Sequence, residues 1–133
     1  MTVTVTAKDR AADRRLRREF WITLDEYEKV LEYQGYCCAI CKKPVQPGKP
    51  RLAVDHRHAC GLLRGLLCWR CNRSLAVFED NVAKLEAAII YLLNPPFTIV
   101  FGSERYAAPG RIGTRKRAKL LKLHQESKGS REV

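Results

Sequence analysis

Two Cys-x-x-Cys pairs, Cys38-Ala39-Ile40-Cys41 and Cys68-Trp69-Arg70-Cys71, constrain this chain more than any other feature it has. Four thiolates on two short knuckles are the soft tetrahedral donor set of structural zinc. An even cysteine count in a secreted chain would instead suggest disulfides. The opening Met1-Thr2-Val3-Thr4-Val5-Thr6 lacks the basic start and the long apolar stretch of a secretion signal, and Asp9 and Asp13 argue against a transit peptide. The expectation is therefore a reducing cytoplasm, that of a bacterial host if the gene is phage-borne, with Zn2+ on Cys38, Cys41, Cys68 and Cys71. Cys37 is an alternative to Cys38 as ligand, and Cys60 reads as a free thiol in a turn.

At 133 residues the chain fits one domain with appendages. A formal charge of +11 needs an anionic partner, and phosphate neutralisation by Lys and Arg makes nucleic acid the leading one. A membrane surface is the rival; no apolar run reads as approaching the roughly 20 residues that span a bilayer, so no membrane is expected.

Three parts follow from the pattern. Residues 1–22 form a basic N-terminal arm, helical from residue 7, with Ala12, Leu16 and Phe20 four apart in a thin apolar stripe. Residues 23–94 form the zinc-bound domain. Its first helix starts at Thr23, which makes a capping box with Glu26, and ends at Gly35. The Pro-rich loop from Lys43 to Pro50 has no regular structure. Arg51 to His56 and Leu62 to Leu67 pair as a β-hairpin around His58-Ala59-Cys60-Gly61. A helix follows from Trp69–Asn72 towards Phe78, and another from Asp80 or Asn81 with Val82, Leu85 and Ile89 on one face, as core or dimer interface. Asn94-Pro95-Pro96 stops it. Residues 95–133 read as a linker and basic tail, with Arg115-Lys116-Arg117 opening its most basic run. The fold class is α+β, and at the size of the central part a structural metal is a common staple.

The segment between the knuckles carries the chemistry. Phosphodiester hydrolysis needs a base for water, a cation for developing charge and groups that position the backbone. His56 accepts a proton near neutral pH. Asp55 and Asn72 offer two oxygen ligands to Mg2+ or Mn2+, while Arg57, Arg64, Arg70 and Arg73 are placed to bind DNA. Adjacent strand residues face opposite ways, so Asp55 and His56 share a site only where the strand ends or bulges. Asn72 could equally cap its helix. Trp69 reads as packing beside the zinc.

The chain resembles the HNH, or ββα-metal (His-Me finger), nucleases, and more closely the phage recombination endonuclease VII family. The matching elements are Tyr33-Gln34-Gly35, Cys38-Ala39-Ile40-Cys41, Val54-Asp55-His56-x-His58, Gly61-x-x-Arg64-Gly65-Leu66-Leu67-Cys68, Cys71-Asn72 and Asp80-Asn81. The resemblance implies a zinc-stapled DNA endonuclease in which Asp55 and Asn72 bind the catalytic divalent ion, His56 is the general base and His58 supports it, leaving 5′-phosphate ends. It brings with it the resolution of branched DNA or Holliday junctions, and a homodimer. Leu75, one turn after Asn72, offers no extra carboxylate for the metal. The alternative is a non-catalytic zinc DNA-binding accessory module.

Overall fold

The structure, a computed structural model, describes residues 5–108. The basic run around Arg115 lies outside the described residues. The architecture is α+β: α1 (Ala7–Phe20), α2 (Leu24–Tyr33), β1 (Ala53–His56), β2 (Leu63–Leu67), α3 (Trp69–Val77), α4 (Val82–Leu93) and α5 (Pro96–Phe101). The chain divides into two compact units, one ending at Leu85 and one starting at Glu86.

In the first unit, both leading helices start at capping boxes. Thr6 and Asp9 cap α1, and Thr23 and Glu26 cap α2, each hydroxyl and carboxylate exchanging hydrogen bonds with the other's backbone N–H. Trp21, in the left-handed region at φ 56°, ends α1, and the Leu24 N–H donates to Asp13 Oδ1 at 2.8 Å. The turn between the helices is therefore pinned from both sides.

α1 is more than an arm. Leu16 is 2% exposed and packs with Tyr27, Leu31, Leu52, Val54, Leu66 and Leu67 in the core, and Phe20 packs against that cluster. The four-residue stripe was visible in the sequence, but the charged residues around it hid that its middle member is buried. Tyr27 crosses the core and donates its hydroxyl to the Leu52 carbonyl at 2.9 Å, satisfying a buried polar group. Arg51 reaches back to Asp9 and Glu28, tying the loop before β1 to both helices.

β1 and β2 pair antiparallel, Ala53 with Leu67, Val54 with Leu66 and Asp55 with Gly65. The next pair is His56 with Leu63, so the register shifts between Asp55 and His56, and Arg64 is the extra residue on β2. Gly61, at φ +74°, turns the hairpin, with its N–H on the Arg57 carbonyl at 2.7 Å. α3 follows directly and packs against both strands.

α4 starts after Asn81, whose side-chain oxygen accepts from the Lys84 N–H at 3.0 Å. Val82 and Ile89 are exposed and Leu85 is half-buried, so none of the three joins the core. Helical spacing identified a shared face but not whether anything covers it. Residues 97–101, within the segment expected to be a linker and tail, form most of α5, with Pro95 at its N-cap. Taken together, Val82–Phe101 is long and apolar enough to cross a membrane by length and composition, contrary to expectation. The break at Asn94-Pro95 between α4 and α5 hides that length in the sequence.

Candidate functional site

The four knuckle cysteines converge. Their sulfurs all lie within 4.8 Å of one another, with Cys41 Sγ and Cys68 Sγ 3.8 Å apart. A tetrahedron with metal–sulfur distances of about 2.3 Å has edges of about 3.8 Å, so the cluster can hold a zinc ion. Burial raises the thiol pKa of both Cys38 and Cys71. At Cys38, N–H groups of Cys68, Cys41 and Ile40 outweigh it and bring the thiol down to about 6; at Cys71, the three neighbouring sulfurs add to it and push the thiol up to about 12. Thiolates this crowded repel one another, and a dication removes that conflict. Cys37 is not part of the cluster, since its thiol donates to the Gln34 carbonyl. Cys60 is exposed in the hairpin turn.

Gln34 joins the first knuckle to the sheet. Its amide nitrogen donates to the Cys37 and Leu66 carbonyls, both at 2.9 Å, and its oxygen accepts from the Leu66 N–H at 2.8 Å. The Ala39 N–H adds a bond to the Leu66 carbonyl. The same end of β2 runs on into Cys68, so the sulfur cluster and the hairpin are one assembly.

Asp55 is 4% exposed, the one buried charged residue among those described. Arg64, the bulge residue, grips it side-on, Nε to Oδ2 at 2.6 Å and Nη2 to Oδ1 at 2.9 Å. The same Nη2 reaches Asp80 Oδ1 at 3.0 Å. His58 Nδ1 stands 3.6 Å from Asp80 Oδ2. Arg64 holds the Asp80 carboxyl below its ordinary range, chiefly through their hydrogen bond, and the two carboxylates raise the guanidinium's own pKa. Asp80 reaches this position because Glu79 and Asp80 both adopt left-handed backbone, φ 57° and 53°. For residues with a β-carbon that costs about 1–2 kcal/mol each, so the loop is held there by its surroundings.

His56 follows the register shift, with its ring centroid 5.9 Å from Phe20 and 5.0 Å from His58. His56 is half-buried, and among the described residues its ring nitrogens have no hydrogen-bond partner. Asn72 lies inside the first turn of α3, whose N-cap is Cys68, so it does not cap that helix. It is half-buried, and its side-chain amide has no hydrogen-bond partner among the described residues.

The four arginines separate. Arg64 is committed to the Asp55–Asp80 pair, and Arg57 is exposed at the hairpin turn. Arg70 lies over the Trp69 ring at 5.4 Å, and both line a shallow depression with Arg73, Ser74 and Val77. Trp69 is 66% exposed, so it is not packed away beside the sulfurs as expected. In the sequence Asp80 stood at a helix start and among the matching elements of the resemblance, but nothing there gave it a place in the site.

The chain belongs to the recombination endonuclease VII family, whose model matches residues 13–94. That family is one of endonucleases. Over 94 residues the chain is 45% identical to the "Gene 59 protein" of Mycobacterium phage L5, covering 70% of this chain and 56% of that protein. It is 40% identical to the "Gene 59 protein" of Mycobacterium phage D29 over the same shares. The chain thus spans about half the length of these curated relatives. No solved structure matches it.

Proposed function

We propose that the protein is a metal-dependent DNA endonuclease of the HNH type, with β1, β2 and α3 as its ββα-metal unit. The observation that carries this reading is the buried Asp55 carboxylate beside the register shift, next in sequence to a histidine whose ring nitrogens have no hydrogen-bond partner among the described residues. A carboxylate so withdrawn from solvent needs a cation, and its two oxygens are hard donors of the kind Mg2+ and Mn2+ take. Asn72, with an uncommitted amide, is the second proposed ligand. A divalent ion there would stabilise charge on the phosphate and on the leaving 3′ oxygen. His56 takes the proton from the attacking water at a ring nitrogen, His58 supports the phosphate or orients its neighbour, and Arg57, Arg70 and Arg73 hold the strand.

The observation favouring a non-catalytic zinc DNA-binding module is the saturation of Asp55 by Arg64, which resembles a structural ion pair. One experiment separates the two. Purified zinc-loaded protein is incubated with linear and four-way-junction DNA, with Mg2+ or Mn2+ and without either, beside His56→Ala. Divalent-ion-dependent cutting that His56→Ala loses while still binding DNA supports the enzyme; binding without any cutting by wild type favours the accessory module. Preferred cutting of the junction identifies branched DNA as the substrate.

A further inference from the structure

We infer that Arg64 is an exchangeable counter-ion that keeps Asp55 closed to a divalent cation until DNA phosphate draws the guanidinium away, with Asp80 as the anchor it retains. The inference rests on the assignment of Asp55 as a metal ligand. Both Asp55 oxygens accept from Arg64, and the carboxylate is almost wholly withdrawn from solvent. A dication and a guanidinium on the same carboxylate repel, and a hydrated ion has no open face to approach.

Arg64 is built to leave. Its side chain is 28% exposed, against 5% for that of Asp55, so a phosphate can reach the guanidinium from solvent. Nε and Nη2 carry its hydrogen bonds, whereas Nη1 makes none among the described residues. Nη2 is already shared with Asp80, which with Glu79 adopts left-handed backbone and lies outside the buried strand pair. One guanidinium between two carboxylates leaves the trio one negative charge in excess. Movement towards a phosphate would expose that excess at Asp55, where the divalent ion binds. Metal loading and DNA binding are then coupled, and by linkage each favours the other.

Zinc-loaded, DNA-free protein is titrated with Mn2+, free ion being read by electron paramagnetic resonance. Arg64→Gln is expected to bind Mn2+ at least tenfold more tightly than wild type, and the gain should vanish in Arg64→Gln/Asp55→Asn. Arg64→Lys, which keeps the charge but not the side-on grip, should show a smaller gain if Arg64→Gln proves unfolded. Arg57→Gln, an exposed arginine off the carboxylate, should change affinity by no more than about twofold, setting the size of a general charge effect.

In a His56→Ala background, which prevents cutting, a DNA duplex should tighten Mn2+ binding with Arg64 present and much less in Arg64→Gln. Folded Arg64 variants that bind Mn2+ no more tightly than Arg57→Gln overturn the inference, as does equal tightening by DNA with and without Arg64. Neither readout uses cleavage. An Asp55-dependent gain in a protein that never cuts would sink the enzyme and leave the ion exchange standing, and the reverse result would do the opposite.

Discussion

Arg64 Nε lies 2.6 Å from Asp55 Oδ2, and the same side chain reaches Asp80 3.0 Å away on the loop before α4. The bulge makes this possible: with Asp55 opposite Gly65 and His56 opposite Leu63, Arg64 is released from the regular alternation of β2. The most buried charge in the described protein is therefore balanced by a residue that remains open to solvent.

That arrangement predicts an asymmetry between its two ends. Arg64→Ala leaves a buried carboxylate uncompensated and is expected to cost about 3 kcal/mol in denaturant unfolding of the divalent-ion-free, zinc-loaded protein. Asp55→Asn removes the buried charge and leaves Arg64 paired with Asp80, so its cost should be clearly smaller. Mn2+ should restore part of the loss in Arg64→Ala but not in the double variant with Asp55→Asn. Equal costs for the two single substitutions would show that the buried charge is not the governing factor.

The sulfur cluster predicts a different failure. Four sulfurs within 4.8 Å hold the end of α2, the hairpin and the start of α3 together. Stripping zinc with a strong chelator should abolish the cooperative thermal transition, and restoring Zn2+, but not Mg2+, should recover it. Cys68→Ser should behave as the stripped protein does, whereas Cys60→Ser should melt as wild type.

The four-cysteine cluster and the hairpin were legible because their signals are local: a C-x-x-C spacing and two apolar runs around a turn need no knowledge of the rest of the chain. The α2 cap at Thr23 and Glu26 was legible for the same reason. Leu16, Asp80 and the engagement of Arg64 were not. Each depends on what a distant segment places opposite it, and charge alone made Arg64 look like one more phosphate contact among four arginines. The helical spacing of Val82, Leu85 and Ile89 was equally visible, but periodicity reports a face and not its burial.

The Gln34–Leu66 contact makes a prediction about the joint between knuckle and sheet. A β-carbon on Gly65 would stand 3.1 Å from Gln34 Oε1, a polar atom held by the Leu66 N–H. Gly65→Ala should therefore destabilise by about 1–2 kcal/mol, a modest overpacking cost. Gln34→Ala should cost about 1–3 kcal/mol by leaving the Leu66 N–H and its carbonyl partners short of a bond. In the Gln34→Ala background the Gly65→Ala penalty should shrink, because its obstacle is gone. A double-mutant cycle in chemical denaturation measures the coupling, and additive costs would show that the crowding is absorbed elsewhere.

The caps of α1 and α2 set the acid response of the helical pair. Glu26 is held below its ordinary pKa by the Thr23 N–H and then its hydroxyl, Asp13 by Arg17 and then the Leu24 N–H, and Asp9 first by the Thr6 hydroxyl. Each folded pKa lies below the unfolded one, so the stabilisation is present above about pH 4 and is lost as pH falls through the folded values. A zinc ion on the four cysteines would also dissociate in acid as its thiolates take up protons, which would lower stability in any variant that retains the cluster. The comparison must therefore be one of slopes. Between pH 6 and 3, Asp9→Asn/Asp13→Asn/Glu26→Gln should start with a lower melting temperature than wild type and lose less of it, the two curves converging at the acid end. Raised salt should weaken the Asp13–Arg17 share, exposed as it is, more than the cap bonds to backbone N–H. Parallel curves would place the acid response in the zinc cluster alone.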